Sequence, residues 1–394
     1  MKKVRDKYKM TELGEIPSEW HIEVLGECSN VTKLAGFEFT EYIEYIDDGE
    51  IIALRALNLK NGKLNLEDIK KIDKKVSESL TRSKLYINDV LFSYVGTVGE
   101  VALIEENDKF HLAPNVAKLT FNDSVVPKFA LQYLMSSNMR NEINRYVTTT
   151  SQPALSMENI RKLKIIVPKK EEQEKISFIL STVDEQIDNV DALIEKNKEL
   201  KKGLMQTLFT KGIGHTKFKK SEVGEIPEEW EVMKLKEICN IKIGGTPSRN
   251  ELSYWDSEKK YKNKWISIKD LSNCNKYIYD TNEYITELGI HNSNVKMLEP
   301  KTVIMSFKLS IGKMAITTEN MYTNEAIAGF TELNDNVYYE YLYYIIPFLK
   351  YDIDIAVKGS TLNKEKLNNT LIALPRYNEQ IKISSILSEL DEKI

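Results

Sequence analysis

The sequence predicts an α+β fold: two similar mixed α/β domains separated by long antiparallel coiled-coil helices, related by a pseudo-two-fold axis. Three observations carry this expectation. A seven-residue phrase occurs twice, as GEIPSEW at Gly14–Trp20 and as GEIPEEW at Gly224–Trp230. Segments of alternating polarity follow each copy, as half-buried strands require. Each copy then closes on a proline and a stretch whose apolar residues step by four and three, the spacing of a heptad seam.

The bulk numbers agree with such a chain. At 394 residues two or more domains are expected. Apolar residues at 42% and charged residues at 29% describe a globular protein rather than a disordered one. No apolar run approaches the ~20 residues of a membrane helix; the longest, Tyr338–Phe348, is Tyr-rich and broken by Pro347. The opening MKKVRDKYKM carries charge with no apolar stretch behind it, so no signal peptide is expected. Cys28, Cys239 and Cys274 have no CxxC spacing, which argues against disulfide and zinc frameworks and suits a reducing cytoplasm. The net charge of −4 speaks mildly against a general coat for DNA, but it leaves room for a local basic face.

The first domain is expected over 1–168 and the second over 212–375. Tyr8 and Phe218 stand at matching places ahead of the two phrases, and Leu25, Glu27 and Asn30 are matched by Leu235, Glu237 and Asn240. IIALRALN (Ile51–Asn58) aligns with WISIKDLS (Trp265–Ser272), and DVLFS (Asp89–Ser93) with TVIMS (Thr302–Ser306). A Gly-containing turn follows each of the latter, then GEVALI or GKMAIT; APNVAKL (Ala113–Leu119) faces TNEAIAG (Thr323–Gly329). The middles differ: TKLAGFEFTEY (Thr32–Tyr42) stands against IKIGGTPSRNELSYW (Ile241–Trp255). Two explanations fit, neutral drift in surface loops or like scaffolds carrying unlike recognition loops. In the repeated phrase, Trp supplies apolar area to bury and Pro stiffens the approach, so it is expected to be a structural latch.

The central helix is expected over 169–211 and a shorter C-terminal one over 376–394. Ile176, Leu180, Val183, Ile187, Val190 and Ile194 form the first seam, with Asn197, Lys201, Leu204 and Leu208 continuing it; Ile383, Leu387, Leu390 and Ile394 form the second. From Glu171 to about Phe209 the first helix spans roughly 58 Å at ~1.5 Å per residue. A greasy stripe of this length needs a partner. The second helix, lying antiparallel, is the intramolecular candidate; a second copy of the chain is the other.

Catalytic signatures are absent from the sequence. There is no GxxxxGK[ST], HExxH or GxSxG. His21, His111, His215 and His291 are scattered, GTVG at Gly96–Gly99 lacks dinucleotide-fingerprint spacing, and no Pro-Pro occurs that could form the Asn/Asp-Pro-Pro-aromatic motif of an adenine methyltransferase. Acidic pairs such as Asp47-Asp48 and Glu105-Glu106 read as solvated loop charges.

The opening GEIPxxW, a variable middle, the helix starts PKKEEQEKISFIL and PRYNEQIKISSIL, and the repetition of this whole cycle resemble the specificity (S) subunit of type I restriction–modification enzymes. GGTPS at Gly244–Ser248 and TNEAI at Thr323–Ile327 resemble its target-recognition domains. The resemblance covers nearly the whole chain. It implies a non-catalytic subunit that reads a bipartite site in double-stranded DNA, one half per target-recognition domain, with the paired helices setting the gap. It implies two methyltransferase (M) subunits, which bind S-adenosylmethionine, and restriction (R) subunits using ATP and Mg; this chain itself would bind no cofactor and no metal, would not enter a membrane, and would be cytoplasmic.

Successive major grooves on one DNA face lie about 34 Å apart, an interval that a rigid helix pair can span and a flexible linker would blur. Base edges are read by Arg, Lys, Asn and Gln, while Ser, Thr and Lys hold phosphates. In the first domain the candidates are Lys33, Arg55, Asn58, Tyr94, Thr97, Asn115 and Gln152. In the second they are Thr246, Ser248, Arg249, Lys269, Lys308, Ser310, Lys313, Ser360 and Thr361. The competing functions are a tandem coiled-coil protein scaffold without base reading and, against the missing motifs, a free-standing methyltransferase or nuclease.

Overall fold

The structure, a computed structural model, describes residues 6–147, 152–308, 311–356 and 359–393, with backbone alone at 354–356 and 359–361. It divides into two compact units, Met1–Asn189 and Val190–Ile394. The division falls inside the long helix Lys170–Lys211. Each unit therefore owns part of the helix that the sequence reading sets apart.

The first unit opens with a hairpin, Tyr8–Thr11 against Gly14–Pro17, with Tyr8 opposite Pro17. Gly14 turns the chain at φ +107°, a conformation that costs glycine little. A four-stranded antiparallel sheet follows in the spatial order Val101–Leu103, Val90–Ser93, Val116–Phe121, Ser29–Lys33. All four residues of Val90–Ser93 are buried, because Phe129, Leu134 and Ile143 share the core with Val90 and Phe92 on one side and Leu54, Leu85 and Phe110 share a second cluster with Leu91 on the other. A smaller mixed sheet pairs Ile51–Leu54 in parallel with Phe110–Leu112 and antiparallel with Lys70–Ile72. His21–Val24 pairs with Lys164–Val167, the strand that delivers the chain to Pro168 and the long helix.

The second unit repeats this plan. Its hairpin joins Phe218–Ser221 to Gly224–Pro227, with Phe218 opposite Pro227 and Gly224 at φ +119°. Its larger sheet runs Asn240–Ile243, Ile327–Thr331, Val303–Ser306, Met314–Thr317, Tyr277–Ile278. Glu231–Lys234 pairs with Leu371–Leu374. The duplication extends to single hydrogen bonds. Gln173, fully buried, accepts from the Val126 N–H and donates to the carbonyls of Ser124 and Pro168. Gln380, also fully buried, accepts from the Tyr338 N–H and donates to those of Asn336 and Pro375.

Backbone partners correct two of the alignments. Ala113 donates to the Leu54 carbonyl and Asn324 to that of Ile266, both at 3.1 Å, so Leu54 matches Ile266 and Ala113 matches Asn324. IIALRALN thus lies two residues out of register with WISIKDLS, and APNVAKL one residue out with TNEAIAG. Short indels in the connecting loops hide the shift from a comparison of letters.

The C-terminal helix Tyr377–Lys393 lies antiparallel to the end of the long helix within the second unit. The Ile213 N–H donates to Glu379 at 2.9 Å, and Lys201 is ion-paired with Asp391. Ile383 and Leu387 enter the core with Met205, Leu208 and Phe209, and Leu390 is half-buried. The antiparallel pairing is therefore present, along the seam's continuation through Lys201, Leu204 and Leu208 and not along its earlier part. Leu180, Val183, Ile187 and Val190 are 41%, 50%, 54% and 54% exposed; Ile194 is half-buried, and Ile176 is half-buried against the first unit's core. The seventeen described residues make a helix of about 26 Å, which carries it from Glu379 to Asp391 opposite Lys201. Ile394 lies outside the described residues. The first unit grips its own part of the helix through polar contacts, Gln132 donating to Asp184 at 2.7 Å and Lys63 paired with Asp188.

Candidate nucleic-acid interface

In the first unit the surface is built on the turn that follows the buried strand Val90–Ser93. The Ser93 hydroxyl donates to the Thr97 carbonyl and accepts from the Glu100 N–H, closing the turn and leaving Thr97 exposed. The Tyr94 N–H donates to the Asn115 carbonyl at 3.0 Å, the Leu155 N–H to the Tyr94 carbonyl at 2.8 Å, and the Gly96 N–H to the Pro153 carbonyl at 2.9 Å. Three segments distant in sequence are thereby sewn together, and Gln152 is brought beside the turn. Lys33 Nζ lies 5.8 Å from the centre of the Tyr94 ring, and burial raises the Tyr94 hydroxyl's pKa. Arg55, Thr97 and Asn115 line one cavity of about 420 Å³ together with Tyr45 and Leu57.

Two of the first unit's candidates have other work. Asn58 is fully buried. Its side chain accepts from the Arg55 N–H and donates to the carbonyls of Asn65 and Asp68, so it closes its own loop and cannot meet a base. Arg55 donates to the Asp68 carboxylate and carbonyl, each at 2.9 Å, and its side chain is 21% exposed. It walls the cavity from an anchored position. Leu57, 48% exposed on the same turn, is a lining residue that a search for polar side chains passes over.

The second unit places its residues at the same stations. The Phe307 N–H donates to the Ala326 carbonyl and the Leu362 N–H to the Phe307 carbonyl. The Ser306 hydroxyl accepts from the Lys313 N–H at 3.0 Å. Lys308 is half-buried with Nζ 5.3 Å from the Phe307 ring centre, and Lys313 is exposed. Ser310 lies outside the described residues; Ser360 and Thr361 belong to a short hairpin whose backbone alone is described. Lys269 is exposed on Ile268–Asn273. The capped turns fix its counterpart: Asn58 accepts from the Arg55 N–H as Asp270 does from the Ser267 N–H, so Lys269 stands where the first unit has Leu57.

The divergent middle supplies the rest. Gly244 packs so closely that a Cβ there would lie 2.2 Å from the Thr323 carbonyl oxygen; only glycine fits, and the GGTPS loop is pressed onto that strand. Thr246 donates to Glu325, and this bond holds the Glu325 carboxyl below its ordinary pKa. The Ser248 carbonyl accepts from Trp255 Nε1 at 3.1 Å. The Arg249 guanidinium lies 3.8 Å from the Trp255 ring centre, and both of its terminal nitrogens donate to Glu283, which raises its pKa further. Glu283 and Glu325 gave no local signal, because their partners are distant in sequence. Among the described residues no group of His, Cys, Asp and Glu gathers as a metal site, and no helix is long and apolar enough to cross a membrane.

Comparisons with known proteins place this architecture. The family described as the type I restriction modification DNA specificity domain matches residues 17–200 and again 227–394. A Methanocaldococcus jannaschii protein named for the specificity subunit of a type I restriction enzyme, MjaX, is 26% identical over 99% of this chain and 91% of its own length. The MjaVIII specificity subunit of the same organism is 24% identical over 96% and 88%. The crystal structure of the S subunit of a type I restriction–modification system from M. genitalium superposes with a TM-score of 0.57 at 15% identity, covering 99% of this chain and 91% of that one; likeness at that identity establishes the fold. With both of its units matched in turn, the chain belongs to the family of type I restriction–modification DNA specificity domains.

Proposed function

We propose that the chain is the sequence-recognition subunit of a type I restriction–modification complex, reading a gapped, asymmetric site in double-stranded DNA. Each unit reads one half-site and the long helix sets the gap. The observation that carries this reading is the repeated scaffold bearing unlike polar surfaces. The turns 94–97 and 307–308 occupy equivalent stations, yet one surface offers Lys33, Tyr94, Thr97 and Asn115, and the other Thr246, Arg249, Lys308 and Lys313. Like frames with unlike side chains suit half-sites of unlike sequence, since specificity lives in side chains at base edges.

In this proposal the chain catalyses nothing and binds no cofactor. Two methyltransferase subunits carrying S-adenosylmethionine dock on it in the cytoplasm, and restriction subunits add ATP- and Mg-dependent cleavage. The exposed stripe Leu180, Val183 and Ile187 is apolar surface of the kind a docking partner covers. The test is selection from a random duplex library with the chain bound to its methyltransferase subunits. Enrichment of a gapped asymmetric site is the expected result. Binding without sequence preference would leave a scaffold, and methyl transfer by the chain alone would make it an enzyme.

A further inference from the structure

We infer that Arg249 is the residue through which the second unit reads a guanine, with Glu283 and Trp255 as the positioning residues that aim it; this rests on the DNA-reading function proposed above. An exposed arginine is ordinarily a mobile charge. This one is held on three sides. Its guanidinium lies 3.8 Å from the Trp255 ring centre and 5.0 Å from that of Trp265. The two indoles stand perpendicular, 5.1 Å apart. Trp255 Nε1 donates to the Ser248 carbonyl and Trp265 Nε1 to the Gly245 carbonyl, so the platform is tied to the loop that carries Arg249. Glu283, opposite Trp265 in the strand ladder, engages both terminal nitrogens from the third side.

This arrangement suits a base better than a phosphate. The guanidinium fork matches phosphate as well as a base edge, so the choice between them turns on charge and on what the site leaves free. Here Glu283 largely neutralises the guanidinium, and the Glu325 carboxylate lies close enough to affect it as well, so its long-range pull on phosphate is weak. What remains is direction. Glu283 uses one N–H from each terminal nitrogen of a group with five donors, and the side chain is 51% exposed. The donors left over form the fork that matches guanine O6 and N7 in the major groove. Among its described residues the first unit shows no such device. Its corresponding segment is the helix Gly36–Tyr42, which presents Phe37, 60% exposed, and caps itself through Glu38. The guanine contact therefore belongs to one half-site only.

The experiment uses the full chain with its methyltransferase subunits and the gapped site found by library selection. Each guanine of that site is replaced in turn by 7-deazaguanine, which lacks the N7 acceptor. One guanine in one half-site is expected to cost the parent roughly tenfold or more in affinity, and to cost Arg249→Ala and Arg249→Met almost nothing further. Loss of N7 leaves every phosphate in place, so it separates base reading from phosphate contact; Arg249→Met keeps an unbranched stem beside the indoles without a donor and serves even if the alanine variant folds poorly. Glu283→Gln should blunt the preference at that guanine alone, and Trp255→Phe should retain more of it than Trp255→Ala. A parent and Arg249→Met equally sensitive to 7-deazaguanine, or an arginine variant that weakens all sequences alike, overturns the guanine assignment while leaving the DNA-reading function intact. Failure of the library to enrich any site overturns both.

Discussion

Trp230 donates its indole N–H to the carboxylate of Glu379, 3.1 Å away, and Trp20 makes the same bond to Glu172 at 2.9 Å. This bond is what the repeated seven-residue phrase is for. It ties the segment that opens each unit to the helix start that closes it, at the Glu-Gln pair whose glutamine is itself fully buried and bonded.

The two latches differ in depth, and their mutants should differ accordingly. Trp230 is fully buried, and Glu379 also accepts from the Ile213 N–H and bonds His215 Nε2, each at 2.9 Å. Glu379→Ala should cost the second unit about 2–3 kcal/mol, since hydrogen bonds to a charged acceptor are lost and buried donors are left bare. Glu172→Ala removes one bond at a half-buried indole and should cost about 1 kcal/mol or less. Urea unfolding followed separately in each unit checks both.

His111 makes the first unit sensitive to acid. It is fully buried, its Nδ1 bonds the Leu112 carbonyl at 2.9 Å, and its Nε2 is buried with no partner within hydrogen-bond geometry among the described residues. Burial holds its pKa below the ordinary 6.5, so the folded state resists a proton that the unfolded state accepts. The sign follows: stability is full above about pH 6.5 and falls as pH drops below it, until the folded imidazole itself protonates. Melts of the first unit between pH 7.5 and pH 5.5 should show this slope, and His111→Leu should flatten it.

The stripe on the long helix should matter for assembly and not for folding. Val183 and Ile187 are each at least half exposed, so Val183→Gln with Ile187→Gln should shift stability by no more than about 0.5 kcal/mol. The same pair should weaken capture of the methyltransferase subunits at least tenfold in a titration, because a polar stripe offers no surface worth burying. Unchanged capture would place the docking face elsewhere.

Asn58 and Thr97, both first singled out as polar loop residues, should separate in opposite ways. Asn58→Ala leaves the Arg55 N–H and two carbonyls without their partner and should cost about 2–3 kcal/mol of first-unit stability. Thr97→Ala lies at the exposed turn and should leave stability within about 0.5 kcal/mol. Its effect should appear as weaker binding to one half of the selected site, measured by fluorescence anisotropy on duplexes altered in either half.

What was legible in the sequence was whatever repeats or is periodic. The repeated GEIPxxW latch, the strand DVLFS with its counterpart TVIMS, and the helix starts after Pro168 and Pro375 all leave a pattern in the letters. The partners of single side chains do not. No letter pattern says that Asn58 turns inward to brace its own loop, or that Arg249 is met by Glu283 from across the ladder; the first depends on how one short loop folds back on itself and the second on tertiary packing. The seam was legible as a seam, but periodicity names a face and not what covers it.

The matched bracing turns, Asn58 onto Arg55 and Asp270 onto Ser267, carry an evolutionary consequence. Each loop is secured by a side chain that points inward, so the neighbour that points outward bears little folding burden. Leu57 in one unit and Lys269 in the other occupy that neighbouring place. In the proposed DNA-reading role, a lineage could rewrite what such a position recognises by single substitutions, without first acquiring a compensating change in the core.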